Sequence, residues 1–316
     1  MLIITRLLAP LLADASAETA ASDVQVTWNL VSDIQQLFAF HFMQNAFLAG
    51  TLIAFIAGIM GYFMVLRGQS FAGHTLANVG FAGAAGAVLV GWPPVTGLLL
   101  FGIGTALGID ALAGKRSKTQ WEQAVAIGTL QTFALGLGLF FVQLSSSYAA
   151  SIYALLFGAV LGISDRDVMV VAGTTVVTLM GLLAIARPLL FASIDPDVAE
   201  ARGVPVRWLN RIFLVLLAFA VAQAVQVVGV LLIFALLVTP AAIAEQFTAR
   251  PGVAVGLSIL LAIGLTWMGL AVAYFTPYPV GFWLTSFAFV TYALIRLLRL
   301  GYAALQIRDR RGAIAP

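Results

Sequence analysis

"LRGQSFAGHTLANVGFAGAAGAVLVG", Leu66 to Gly91, carries an arginine, a glutamine, a histidine and an asparagine in its first half and a run of glycines and alanines in its second. His74 and Asn78 are four residues apart, so on a helix they share one face. Gly80, Gly83, Ala84 and Ala87 then recur three and four residues apart, a spacing that lets two helix backbones approach closely. Long apolar runs lie on either side. The stretch therefore reads as a basic turn leading into a close-packed apolar helix, the pattern of a chain that passes repeatedly through a membrane.

The rest of the chain agrees. Of its 316 residues 62% are hydrophobic and 9% charged, with a mean hydropathy of +1.04, whereas soluble domains carry roughly 25% charged residues. Apolar segments fall at 44–66, 75–91, 93–114, 121–143, 168–187, 209–226, 229–247, 253–275 and 280–299, each close to the roughly 20 residues that cross a bilayer as a helix. The second is short and the sixth and seventh nearly merge. The expected fold is thus all-α and polytopic, with eight to nine transmembrane helices. The absence of cysteine rules out disulfides, thiolate metal sites and iron–sulfur ligation.

Orientation follows from the basic residues. If the first span runs inward, Arg67, Lys115, Arg116, Lys118, Arg187, Arg202, Arg207, Arg211, Arg250 and the tail from Arg296 to Arg311 all face the cytoplasm. Only Arg6 and Arg166 fall outside. The positive-inside rule then places the N-terminus outside and the C-terminus in the cytoplasm. Residues 1–40, with Asp14, Glu18, Asp23 and Asp33, are expected to form a polar or interfacial outer segment. "LLAPLLADASAETA" also has the look of a signal peptide with a small-residue cleavage site, but Arg6 follows the first apolar residues and Pro10 interrupts the run. Residues 41–299 form the membrane domain and 300–316 a basic cytoplasmic tail.

Two further segments bear on function. In "RPLLFASIDPDVAEARGVPVRWLNR", Arg187 to Arg211, Asp195 is a capping acid, Pro196 a first helical residue and Asp197 an acid in the first turn. Glu200 and Arg202 follow, and Gly203 ends the helix, predicting a short cytoplasmic helix at about 194–204. It reads either as an ordinary connector or as a docking helix that receives force from a motor subunit. In "VVGVLLIFALLVTPAAIAEQF", Val227 to Phe247, Gly229 stands at the outer end of one span and Pro240 near the inner end of the next, as a structural kink or a gate. Gln131, Gln223 and Gln226 are candidates for pairing between helices. Asp110 sits before Lys115, Glu122 starts a span, and "SSSYAASIYALLFG", Ser145 to Gly158, has room to be re-entrant. His41 reads as interfacial.

His74 offers an imidazole suited to a transition metal, and Asn78 an amide oxygen as a weak ligand. A satisfied structural histidine is the plainer alternative. No nucleotide-binding G-x-x-x-x-G-K-[ST], H-E-x-x-H or G-x-S-x-G pattern is present, so any ATP hydrolysis belongs to a partner.

Three segments, in order, resemble the membrane permeases of ATP-binding-cassette importers for zinc, manganese and iron: "LRGQSFAGHTLANVGFAGAAGA" after an inward-running helix, "LFGAVLGIS", and the pair "DPDVAEARGVPVRWLN" and "VVGVLLIFALLVTPAAIAEQF" joined by one span. Together they cover about Phe42 to Leu298. The resemblance implies a homodimer in a bacterial-type cytoplasmic membrane, a cytoplasmic ATPase on each copy and an extracytoplasmic metal-binding protein. The divalent metal is substrate, with no cofactor bound by this chain and no nucleic acid partner. It also makes Asp195 to Asn210 the ATPase-docking region. In much of this family an aspartate occupies the place of His74 and a histidine that of Asn78, both implicated in holding metal. Here the pair carries no negative charge, which weakens its hold on hard cations.

A secondary transporter driven by an ion gradient is the alternative, but it calls for acids near the midplane, and Asp110, Glu122, Asp165 and Asp167 lie at span ends. An intramembrane enzyme or a scaffold is a third, yet no catalytic constellation is in view.

Overall fold

The computed structural model describes residues 30–113, 120–144, 158 and 162–312. Eleven helices are described: α1 (Leu30–Ala39), α2 (His41–Leu66), α3 (Ser70–Leu89), α4 (Pro94–Ala113), α5 (Gln120–Leu144), α6 (Asp165–Ile194), α7 (Pro196–Ala201), α8 (Val206–Val228), α9 (Val230–Phe247), α10 (Pro251–Tyr274) and α11 (Val280–Gly312). No strand occurs among the described residues.

Local chemistry sets the boundaries. Ser164 and Asp167 form a capping box that starts α6: each side chain accepts from the other's backbone N–H. The Asp195 carboxylate accepts from the Val198 N–H at 3.0 Å and starts α7, with Pro196 at its first position. α8 and α9 are separated by Gly229 alone. Its φ of +92° lies in a region open to glycine and costly to other residues, so one apolar run becomes two helices. Pro240 does not end α9, which runs on to Phe247.

The centre of the bundle is α2, packed against α6, α8, α9 and α10. Met43, Ile53, Ile56, Met60 and Met64 of α2 are fully buried, as are Phe213, Leu214 and Leu217 of α8. On one side α3 packs against α4 and α5; on the other, α11 packs against α9 and α10. The predicted small-residue stripe meets α4. A Cβ on Gly83 would collide with the Gly97 carbonyl oxygen, and one on Gly97 with that of Gly83. The two backbones thus touch.

Among the described residues, six helices are long and apolar enough to cross a membrane: α2, α6, α8, α10, Ile127–Leu144 of α5 and Val280–Gly301 of α11. Shorter apolar stretches are Pro94–Ile109 in α4 and Leu232–Phe247 in α9. The outward side chains are apolar: Met169, Val177, Met180 and Leu183 on α6, and Phe289, Val290, Leu297 and Leu298 on α11. A surface this apolar calls for lipid or another subunit.

Several boundaries differ from the sequence expectation. α3 starts at Ser70, five residues before the apolar window at 75. α6 continues through Pro188 to Ile194. α7 is only six residues long, inside the expected 194–204. The expectations for residues 1–29, for Lys115, Arg116 and Lys118, for 145–157 and for the last four residues lie outside the described residues, as do the side chains of Asp110 and Glu122.

Candidate translocation site

α3 carries the site. Gln69 is its N-cap position and Ser70 its first residue, which places His74 and Asn78 in its second and third turns. The two side chains meet: Asn78 Nδ2 lies 3.1 Å from His74 Nε2. Asn78 is 8% exposed and Thr75, between them, is fully buried. The Thr75 hydroxyl donates to Gln131 Oε1 of α5 at 2.8 Å, one of the inter-helix glutamine pairings expected from sequence. The imidazole packs edge-on against Phe234 of α9, with ring centroids 5.1 Å apart. His74 therefore sits half-buried in a three-helix junction of α3, α5 and α9.

The ring's other nitrogen, Nδ1, is buried and has no hydrogen-bond partner among the described residues. With the amide as placed, Asn78 donates to the Nε2 lone pair and the proton resides on Nδ1. With the amide turned over, its oxygen accepts from Nε2–H and the Nδ1 lone pair is free. Amide orientation and histidine tautomer are assigned from such partners rather than seen. In the second arrangement Asn78 orients the imidazole and His74 offers one nitrogen to an ion, the partnership usual for a metal-bound histidine. Among the described residues no three His, Asp or Glu side chains come together as a metal cage. The pair is neutral, and a neutral imidazole and amide hold a divalent cation lightly.

At the start of α3, the turn between α2 and α3 enters a polar cluster that the sequence reading missed. Arg67 donates from Nη2 to Asn210 Oδ1 at 2.8 Å and from Nη1 to Ser193 Oγ at 3.2 Å. Gln69 Nε2 donates to the same Asn210 oxygen at 2.8 Å. The guanidinium lies 5.6 Å from the centre of the Phe213 ring. Burial lowers its pKa from the ordinary arginine value, yet an arginine stays cationic. Arg67 followed by Gln69 was visible in the sequence; their partners, 126 to 143 residues away, were not.

At the opposite end of α2, Asp165 Oδ1 accepts from Asn45 Nδ2 at 2.7 Å and lies 2.8 Å from His41 Nε2. Asn45 also donates to the Ile163 carbonyl at 3.2 Å. His41, expected at the interface, is thus tied to the start of α6. Deeper in the bundle, Gln223 of α8 is bonded to Thr174 and Thr175 of α6. Gln226 Nε2 has no partner among the described residues.

α7 stands on the surface. Asp195, Pro196, Asp197, Glu200, Arg202 and Gly203 are exposed, and only Ala199 of the helix is buried. Gly203 has a φ of +82° and closes the turn. Ile194, Val198 and Trp208 are exposed beside it, and Arg202 and Arg211 lie over the Phe191 and Trp208 rings. The structure brings together His74 and Asn78 in one place and the Asp195–Gly203 group in another. Gly229 precedes α9 as its N-cap position, and Pro240 lies within the helix, seven residues before its last residue, Phe247.

Comparison with known proteins accords with this arrangement. The profile of the ABC 3 transport family matches residues 39–298. The chain is 30% identical over 235 residues to the manganese transport system membrane protein MntC of Halalkalibacterium halodurans, covering 74% of this chain and 80% of that one. It is 32% identical over 241 residues to the manganese import system permease protein ScaB of Streptococcus gordonii, covering 76% and 85%. Its fold matches PsaBC from Streptococcus pneumoniae, solved in complex with Fab, with a TM-score of 0.75 and 27% identity, over 84% of this chain and 95% of that one.

Proposed function

The chain belongs to the ABC 3 transport family, and from that premise we propose manganese(II) as the ion it carries. It is the multi-pass permease subunit of an ATP-driven importer for a divalent transition metal, and not itself an enzyme. Manganese is favoured by the relatives, whose names specify its transport.

The observation that carries the path is the His74–Asn78 pair, bonded side by side in the α3–α5–α9 junction. Manganese(II) is the weakest-held of the common first-row divalent ions, and at a neutral imidazole and amide it would dwell briefly. Such a pair passes an ion along; it does not select it. Selection then rests with an extracytoplasmic binding protein that delivers the metal.

In this reading nine spans run from an outer N-terminus to a cytoplasmic C-terminus, two copies form the path, and each copy docks an ATPase at α7. ATP binding favours one of two access states, which requires the nucleotide-bound partner to prefer one of them. The acids Asp197 and Glu200, with Arg202 beside them, supply the exposed charge for that contact. Gly229, just before α9, and Pro240, within it, flank Phe234, which packs against His74, so both lie where a gate would bend.

The test is a pull-down of the tagged chain from its native membrane in mild detergent. A stoichiometric ATPase that is lost when Asp197→Lys and Glu200→Lys are combined is the expected result. A chain that carries no ATPase yet moves manganese down a proton gradient would overturn it in favour of an ion-coupled transporter.

A further inference from the structure

We propose that Arg67, Gln69 and Asn210 form a coupling node that carries movement of the surface helix α7 to the start of α3, and so to His74. The proposal rests on the docking role given to α7 above.

The geometry places the node between the two. Ser193 is two residues before Asp195, the N-cap of α7, and Asn210 is in the first turns of α8, which follows it. α7 is therefore held at both ends by helices whose side chains reach the α2–α3 turn. Gln69 is the N-cap position of α3, five residues ahead of His74. A tilt of α7 that shifts the ends of α6 and α8 has a bonded route to the helix bearing the ion site. Coupling through a protein travels along such contiguous networks only when the elements move together.

Asn210 is the keystone. Its one carbonyl oxygen accepts from both Arg67 and Gln69, and because arginine can only donate, that oxygen's identity is fixed. Arg67 Nε and Gln69 Oε1 are buried with no other hydrogen-bond partner among the described residues, so little else in the cluster shares the load. Ser193 is itself fixed by donating to the Leu189 carbonyl at 2.6 Å. A buried guanidinium forked between a hydroxyl and an amide, with an aromatic ring on its face, resists sliding more than a single exposed contact does. Arg67, Gln69 and Asn210 act through α3 and touch no ion; they are positioning residues.

The experiment uses the full complex with its ATPase in proteoliposomes, with manganese(II) uptake and phosphate release measured on the same vesicles. Gln69→Leu, outside the docking region, is expected to keep the ATPase bound and hydrolysing while the metal moved per ATP falls about tenfold. An unchanged ratio overturns the proposal. A second variant, Gln69→Cys with Asn210→Cys, puts the only two thiols into this cysteine-free chain. Reduced, it should be uncoupled; bridged by a short bifunctional thiol reagent, it should regain uptake, because a covalent link replaces the lost bonds. A bridge that leaves uptake low defeats the node, since a purely structural defect would not respond to reconnection of α3 to α8. Where Gln69→Leu does not assemble, the cysteine pair decides alone. The docking reading fails separately, by Asp197→Lys/Glu200→Lys complexes that still hold the ATPase.

Discussion

α2 is fastened to α6 at both of its ends, and the two fastenings are built differently. One joins His41 and Asn45 to Asp165, with His41 and Asp165 side chains 71% and 65% exposed. The other joins the turn after α2, through Arg67, to Ser193 at the far end of α6 and to Asn210 of α8, and its bonds are part-buried. Exposed ion pairs contribute little because water screens them and their side chains lose entropy. Buried polar groups cost dearly when a partner is lost. The bundle is therefore fastened loosely at the Asp165 end of α6 and more firmly at its Ser193 end, beside α7, where the ATPase is proposed to act.

The sharpest way to break that contrast is Asn210→Leu, which strands the Arg67 cation and the Gln69 amide together. It should cost about 2–3 kcal/mol, read as a lowered Tm in detergent. Next comes His74→Ala, which should reduce manganese uptake about tenfold with assembly and Tm preserved, separating a group on the path from a strut. Unchanged uptake at limiting metal would remove His74 from the path. Asn45→Ala should cost about 1 kcal/mol, since Asn45 is buried and also holds the Ile163 carbonyl. The smallest effect is expected for His41→Ala, with Tm inside experimental scatter. A loss there equal to that of Asn210→Leu would mean that exposure does not distinguish the two ends.

How far these features could be read from the sequence depends on their range. The long apolar runs gave the helices because period and length are local properties. The capping acid and proline at Asp195–Pro196 fixed the start of α7 for the same reason. The Gly80–Ala87 stripe announced a close approach, and the structure supplies α4 as the neighbour and Gly97 as the opposite glycine. Glutamines in apolar helices had to find partners, and Gln131 and Gln223 do. The Arg67–Asn210 cluster was hidden, since no periodicity links Arg67 to a residue 143 positions on. The same holds for His41 and Asp165, 124 apart. The Asn78 amide was read as a possible ligand; only its placement against His74 Nε2 shows that it can instead orient the ring.

The length of α6 has a consequence of its own. Thirty residues at about 1.5 Å each make a rod of about 45 Å, while the hydrocarbon core of a bilayer is about 30 Å thick. Even at a tilt near the upper end of what membrane helices adopt, about 40°, such a rod rises about 34 Å. Part of it must lie beyond the hydrocarbon core. Its first end is marked by Asp165, Arg166 and Asp167, charges that favour the water boundary, so the surplus falls at the other end, after Arg187. Pro188 to Ile194 thus carry the chain out of the hydrocarbon core into the headgroup layer, and α7 starts there.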